Sequence, residues 1–332
     1  MLQSAANVNH CVAGSCLRGC PRLPDADPGL HAAQLLRPAG GAPGTGRMNV
    51  NKNNVSIGCW NVNGFTQKTA KAKASFGLRK DIIFHLGFDI LAISETHLKE
   101  DEQLNLPGYL WLGNNRHNLN SKATRGSGGV GFLIKDDLLE HYDYEVLDKT
   151  YEGLFWIKLV NKKDKAGINL CSCYLPPASS RRGNSSQQFF NQLSSDINQL
   201  GEGFPIFVMG DFNARVGDMQ DFEGAKRTPF DTKKNSHGRK FINFLKASQM
   251  CMLNGRGKSD DFTSVSSRGK SVVDYIITPY KNLNFCSEFK VKLVSSCLSD
   301  FELNPGLASI PDHSILTFTY KFPEKQQDTP LE

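Results

Sequence analysis

The sequence predicts an α/β fold on mixed β-sheets, in one domain of about 270 residues. Three observations predict it. Apolar runs of strand length interleave with segments that place apolar residues at helical spacing. Several of those strands follow one another with no helix between them, which a purely parallel sheet does not permit. The 332 residues are 39% apolar and 22% charged, enough to bury a large core and outside the composition of a disordered chain.

Taken in order, residues 1–48 are rich in Ala, Gly and Pro (LRPAGGAPGTG), lack lysine and hold no sustained period, so they are expected to be a disordered tail or linker. Strands are expected at 55–60 and 90–94 with a helix at 71–86 between them, then strands at 130–134, 155–160, 168–174, 206–209, 250–253, 272–278 and 314–320. Phe189, Phe190, Leu193, Ile197 and Leu200 form a helical stripe over 187–200, and Phe241, Ile242, Phe244 and Leu245 form another over 238–248. Both stripes are expected to face the core. The folded domain is placed at 49–322, followed by an extension at 323–332.

Composition narrows the function classes. No apolar run approaches the length of a membrane span, and the N-terminus lacks the basic and apolar regions of a secretory signal. An intracellular location is therefore expected. Of nine cysteines, Cys59, Cys171, Cys173 and Cys251 lie in apolar strand-like runs, as buried thiols in a reducing compartment do. Cys11, Cys16, Cys20 and His10 cluster without a C-x-x-C pair, which argues against zinc. The net charge of +6 suits either ordinary solubility or a polyanionic partner; four Arg and two Asp place two of those units in the tail, leaving about +4 on the domain.

The informative pattern is where the strands stop. Residues 90–94 run into Glu95-Thr96-His97, residues 205–209 into Gly210-Asp211-Phe212-Asn213, and Val272-Val273 into Asp274, while the last strand starts after Asp312-His313. Each acidic residue taken alone reads as a turn or cap; together they make a site, because loops at strand ends bring distant segments together on a rigid scaffold. Glu95 with an Asp or Asn partner has the hard oxygen donors that Mg²⁺ takes. His313 is suited to proton transfer if one carboxylate orients it. His97 competes as a ligand, and His117, His141 and His237 are read as solvated loop residues.

Other signals carry bland alternatives. Gly126 to Gly131 satisfies G-x-G-x-x-G, but a basic loop precedes it and a strand follows, so a hairpin is expected. Lys226, Arg227, Lys233, Lys234, Arg239 and Lys240 surround the single acid Asp231, as either a solvated loop or one that tracks a nucleic-acid backbone. Trp60 is read as core and Trp111 as a surface-loop residue.

The segments Trp60-Asn61-Val62-Asn63-Gly64, Ser94-Glu95-Thr96, Tyr174-Leu175-Pro176, Gly210-Asp211-Phe212-Asn213-Ala214, Val273-Asp274-Tyr275 and Asp312-His313-Ser314 occur in the order of the endonuclease/exonuclease/phosphatase superfamily, which the chain resembles from residue 53 to about 322. Gly126 to Gly131, His237 to Lys240, Leu253 to Arg256 and Phe262 to Tyr275 look most like the endonuclease domain of non-LTR retrotransposons. The resemblance implies a four-layer sandwich of two mixed β-sheets flanked by helices. It implies Mg²⁺ or Mn²⁺ held by Glu95 with Asn61 and Asp312, and catalysis by Asp211, Asn213, Tyr174, Asp274 and His313. In these roles Asp211 orients or deprotonates the attacking water, Asn213 and Tyr174 contact the phosphate or leaving group, and Asp274 fixes the tautomer of His313. Which group is the base stays open.

Asn63 stands where many apurinic-site enzymes carry Asp, Pro177 stands where Asn often follows the Tyr-x-Pro motif, and the segment from Thr263 to Val265 lacks their tryptophan. The implied activity is thus a nuclear DNA endonuclease that nicks one strand to leave a 3'-hydroxyl, with DNA as partner, no membrane and no obligate protein partner. A phosphomonoesterase or sphingomyelinase of the same superfamily, and a catalytically silent nucleic-acid-binding relic, are the alternatives.

Overall fold

Strand β1 (Asn54–Asn61) alternates its side chains between two buried environments: Ile57 and Cys59 face one core, Trp60 another. A strand buried on both faces must lie centrally, and β1 pairs in parallel with β2 (Ile90–Ser94) and antiparallel with β14 (Ile315–Lys321). Helix α1 (Ala70–Leu86) makes the crossover that a parallel pair requires. Thr69 caps it by accepting from the Ala72 N–H at 3.1 Å, and it ends at Gly87, whose N–H donates to the Ile83 carbonyl at 2.9 Å.

These features come from a computed structural model of the chain, which describes residues 54–323 except 118–122, 124–125, 181–185, 201–202 and 258–261. The expected tail at 1–48, its cysteine and histidine cluster, and residues 324–332 of the expected extension lie outside the described residues.

The first sheet is completed by β3 (Tyr109–Asn114), β4 (Val130–Lys135), which runs into the short helix α2 (Asp136–Leu139), and β13 (Cys286–Lys292), in the order β13-β14-β1-β2-β4-β3. The second contains β5 (Tyr142–Asp148), β6 (Leu154–Asn161), β7 (Gly167–Tyr174), β8 (Ile206–Asp211), β9 (Met250–Met252) and β12 (Asp274–Pro279), in the order β5-β6-β7-β8-β12-β9. Its one parallel pair is β7 with β8, and the crossover helix is α3 (Ser186–Leu200). A short hairpin of β10 (Ser264–Ser266) and β11 (Gly269–Ser271) precedes β12.

The two sheets pack face to face through Ile57, Phe132, Phe155, Leu170, Phe207, Met209 and Phe318. The Phe207 ring centroid lies 5.1 Å from that of Phe318 and 5.0 Å from that of Tyr320, one ring from the second sheet against two from the first. On the outer face of the first sheet Leu78, Ile82 and Ile83 of α1 cover Trp60, Leu91 and Leu133. On that of the second, Phe189, Phe190 and Leu193 of α3, with Phe241 and Leu245 of α4 (Ser236–Ala247), cover Trp156, Val208 and Tyr275. The architecture is the expected helix, sheet, sheet, helix sandwich, and both helical stripes face the core as expected.

Some elements escape the sequence pattern. The edge strands β5 and β13 leave most of their side chains exposed or half exposed, so neither reads as a buried run. Trp111 is not a surface-loop residue: it lies in β3 and is 7% exposed, packed into the cluster of Leu133 and Leu106. His237 is likewise buried, in the first turn of α4, and is not solvated. Among the described residues, no helix is long and apolar enough to cross a membrane.

Candidate active site

Register brings the polar strand ends together. In the first sheet Asn61 pairs with Ser94, so Glu95 follows directly beyond the end of the β1–β2 pair. In the second, Asp211 pairs with Tyr174 on one side and with Asp274 on the other. The C-terminal ends of both parallel pairs therefore meet, and a hydrogen bond crosses between the sheets from Asn61 Nδ2 to Asp211 Oδ2 at 3.0 Å. This is the end of an α/β sheet where ligands usually bind.

The backbone there is built to turn sharply. Asn63, Glu95, His97 and Asn213 all adopt left-handed φ, at 47°, 53°, 55° and 46°. Such conformations cost of order 1 kcal/mol each and persist where packing enforces them. Gly210 is required before Asp211: its φ is 154°, and a Cβ would lie 1.9 Å from the Cys173 carbonyl oxygen. The glycine run from 126 is a loop into β4 that buttresses the Glu95 turn. His97 N–H donates to the Gly128 carbonyl at 2.9 Å, and a Cβ on Gly129 would strike Thr96 Oγ1 at 2.2 Å.

Asp211, 2% exposed, accepts from the Asn213 backbone N–H at 2.8 Å through Oδ1 and from Asn213 Nδ2 at 3.1 Å through Oδ2. Asn213 Nδ2 also donates to the Leu175 carbonyl at 2.9 Å, and Asn61 Oδ1 accepts from the Asn63 N–H at 3.0 Å. Burial, then the charge of Asp274, pushes the Asp211 carboxyl well above its ordinary range, although His313 pulls it down. His313 Nδ1 lies 3.0 and 2.8 Å from the two oxygens of Asp274. Because an ionised carboxylate only accepts, Nδ1 carries a proton, and Nε2 is the nitrogen not engaged with Asp274. Burial alone would lower the pKa of His313, but Asp274, followed by Asp211 and Asp312, pushes it up to about 10. The ring is thus an imidazolium at neutral pH.

Tyr174 shares a hydrogen bond with Glu95, and burial followed by the charges of Glu95 and Asp211 raises its phenol far above the usual range. It is a neutral O–H donor at every physiological pH. Glu95 and Asp312 are both half-buried. The Asp312 carbonyl accepts from the Val265 N–H at 2.7 Å, and its carboxylate contributes to the field on His313.

Among the described residues, Asp211, Asp274 and His313 place ligand atoms within 4.8 Å of one another, a set able to hold a metal ion. Nδ1 of His313 is already committed to Asp274, however, and an imidazolium has no lone pair for a cation. The balance of charge points to the neighbouring carboxylates: Glu95, Asp211, Asp274 and Asp312 face one imidazolium, and burial, reinforced by Asp274 and Glu95, raises the Asp211 carboxyl. A hard divalent cation with oxygen donors fits this donor set.

Two expected participants sit elsewhere. His97 lines a cavity of about 590 Å³ with Asn63, Lys68, Lys71 and Arg79. Arg227 of the basic loop is 4% exposed and donates to the Asn254 and Met219 carbonyls at 2.9 and 3.1 Å, so it is a fastener of the loop, while Lys226, Lys233 and Arg239 are exposed. The lone acid of that loop, Asp231, is 4% exposed. It takes both Arg215 Nε (2.8 Å) and NH2 (2.6 Å) and the N–H groups of Lys233 (3.0 Å) and Val272 (3.1 Å). Asn235 caps α4 by accepting from Gly238 N–H at 2.7 Å and donates to the Asn213 carbonyl at 3.0 Å. The helix-cap pattern flags Asn235 in sequence; nothing local flags Asp231, whose partners lie as far as 41 residues away.

Solved structures of low identity share the fold. The endonuclease domain of TRAS1, a telomere-specific non-LTR retrotransposon, is 15% identical with a TM-score of 0.54, covering 81% of this chain and 99% of its own. An AP endonuclease from Leishmania major is 14% identical with a TM-score of 0.60, covering 85% and 93%. A 3' phosphatase from Neisseria bound to a product DNA hairpin is 13% identical with a TM-score of 0.53, covering 81% and 100%. No curated protein matches the chain. The sequence pattern that does match spans residues 58–300, from β1 through the Asp211 and Asp274 strand ends, and on that match the chain belongs to the Endonuclease/Exonuclease/phosphatase family.

Proposed function

We propose that the protein is a divalent-metal-dependent phosphodiesterase, and specifically a DNA endonuclease of retrotransposon type that nicks one strand and leaves a 3'-hydroxyl. The observation that carries the reading is the pairing of Asp211, held by Asn61 and Asn213, with the Asp274–His313 imidazolium across the ends of two sheets. Phosphodiester hydrolysis needs an oriented water, donors for charge developing on the phosphoryl oxygens, and a proton for the leaving oxygen. Asp211 orients or deprotonates the water. The His313 imidazolium donates to the phosphoryl oxygens. Asn213 Nδ2, bonded to Asp211 and the Leu175 carbonyl, and the Tyr174 O–H, bonded to Glu95, each exchange an acceptor for the phosphate or the departing oxygen as substrate binds.

Glu95, Asn61 and Asp312 would hold Mg²⁺ or Mn²⁺, which supplies Lewis-acid stabilisation of the phosphoryl charge. Asn61 Oδ1, with one lone pair on the Asn63 N–H, keeps another for this purpose. The exposed Lys226, Lys233 and Arg239, on the segment that follows Asn213, support a nucleic-acid substrate, and nuclear residence is proposed with it. Asn63, Pro177 and the absence of tryptophan between Thr263 and Val265 favour a retrotransposon-type enzyme over an apurinic-site enzyme.

The test is nicking of supercoiled plasmid by the purified chain, with Mg²⁺ withheld and restored, beside inositol phosphates, sphingomyelin and a 3'-phosphorylated oligonucleotide. Metal-restored nicking with 3'-hydroxyl ends supports the reading. A natively folded chain that turns over only a monoester or a lipid, or that binds DNA without turnover, overturns it.

A further inference from the structure

We propose that Thr263 is a positioning residue for the Asp274–His313 pair, an inference that rests on the phosphodiesterase reading for its catalytic consequence. Asp274 begins β12 of the second sheet and His313 precedes β14 of the first, so neither sheet's own ladder fixes the distance between them. The ladder with β8 also ends here: the Val273 carbonyl still accepts from the Phe212 N–H at 3.0 Å, but its own N–H leaves the ladder, and β12 starts only at the next residue. The backbone N–H groups of Val273 and Asp274 then have one acceptor in common. It is the hydroxyl of Thr263, at 2.9 and 3.0 Å, on a residue with no exposed surface.

The same residue holds His313 from the other side. The Thr263 carbonyl accepts from the Ser314 N–H at 2.7 Å, and its own N–H donates to the Ser271 carbonyl at 3.0 Å. Its neighbours add to the strap: Ser314 Oγ donates to the Phe262 carbonyl at 3.1 Å, the Val265 N–H donates to the Asp312 carbonyl at 2.7 Å, and Ser264 bridges to His313. Trp60 Nε1 completes the clamp by donating to the His313 carbonyl at 3.0 Å. One side chain thus sets the peptide that carries the carboxylate, while its main chain sets the peptide that follows the imidazole. A hydroxyl has two acceptor lone pairs, and both are used on this one task.

The substitution that isolates the role is Thr263→Val, which keeps shape and branching and removes the acceptor; Thr263→Ser restores it without the methyl. In the full chain with Mg²⁺, Thr263→Val is expected to lower kcat for plasmid nicking by about 10- to 100-fold, as misplacement of a reacting group by an ångström does, with KM little changed. Thr263→Ser is expected to stay close to wild type. The low-field Nδ1 proton resonance of His313 reads the pair directly: it is expected to move or vanish in Thr263→Val and to return in Thr263→Ser. If Thr263→Val fails to fold, Thr263→Cys keeps a side chain of similar size with only a weak sulfur acceptor, and carries the same comparison.

A valine variant that loses only thermal stability, with kcat and resonance as in wild type, overturns the proposal. A wild-type chain inactive on every phosphate ester overturns the phosphodiesterase reading instead, and the resonance comparison still decides whether Thr263 sets the pair.

Discussion

Replacing Asp274 with Asn tests the charge on His313. The wild-type imidazole is pushed up to about 10, against an ordinary value of 6.5, chiefly by the carboxylate 2.8 Å from Nδ1 and despite its burial. That displacement corresponds to about 5 kcal/mol of preference for the protonated ring in the folded state. Because the folded value lies above the unfolded one, this stabilisation is complete below about pH 6.5 and disappears as pH rises through about 10. In Asp274→Asn the largest attraction is gone while burial still disfavours the charge and only the weaker fields of Asp211 and Asp312 remain, so the value of His313 is expected to fall. Breaking a buried pair typically costs about 3–5 kcal/mol, which agrees in size.

Urea unfolding at pH 6 and pH 10.5 measures the stability, and the pH dependence of plasmid nicking measures the chemistry. The wild type is expected to hold activity on its alkaline side until near pH 10, and Asp274→Asn to lose it at a lower pH. An alkaline limb of nicking that stays in place in Asp274→Asn refutes the assignment of charge, and so does a stability difference that stays equal at both pH values.

Further expectations follow from the same packing. Asp211→Asn removes a buried carboxyl whose pKa is raised by burial and by Asp274, and sets an amide N–H against donors that the two carboxylate oxygens satisfy; nicking is expected to be abolished while a thermal melt still shows a folded chain. Mg²⁺ is expected to raise the melting temperature of the wild type in a titratable way and to do little for Glu95→Gln, as thermal melts with and without EDTA will show. Asp231→Asn is expected to cost about 2–4 kcal/mol in urea unfolding at pH 7, because Arg215 and two backbone N–H groups lose a buried acceptor. Burial would raise the Asp231 carboxyl, but the bonds from Arg215, Val272 and Lys233 hold it below its ordinary value, so that stability is present above about pH 4 and lost as pH falls through the folded value. Gly210→Ala places a methyl 1.9 Å from the Cys173 carbonyl and is expected to prevent accumulation of folded protein, read as the soluble fraction on expression.

Central elements were legible because both of their faces are buried, which leaves an uninterrupted apolar run: β2 and β8 were placed within two residues of their observed ends. The amphipathic helices α3 and α4 were legible for the related reason that one buried face repeats every turn. Edge strands β5 and β13 were not, since water on their exposed sides removes the pattern. His237 escapes the sequence pattern because its neighbours Ser236 and Gly238 are small or polar, and Trp111 because glycines bracket its short apolar run while Leu133, which helps bury it, lies on another strand. Arg227 was read with its charged neighbours, although its guanidinium is consumed by main-chain carbonyls.

For the site, the sequence by itself determined which residue types stand at strand ends: Asn61, Glu95, Tyr174, Asp211, Asn213, Asp274 and Asp312-His313, each a polar break after or before an apolar run. It also carried the family resemblance, because those breaks keep their order along the chain. Only the tertiary structure decided who touches whom. The Asn61–Asp211 bond joins residues 150 positions apart in different sheets, and Asp274 meets His313 across 39 positions. Such contacts depend on strand register and sheet packing, which are set by the whole core and not by any local segment. The charge state of the site was settled at the same level: a carboxylate beside an imidazole out of water makes an imidazolium, and no composition or spacing encodes that proximity.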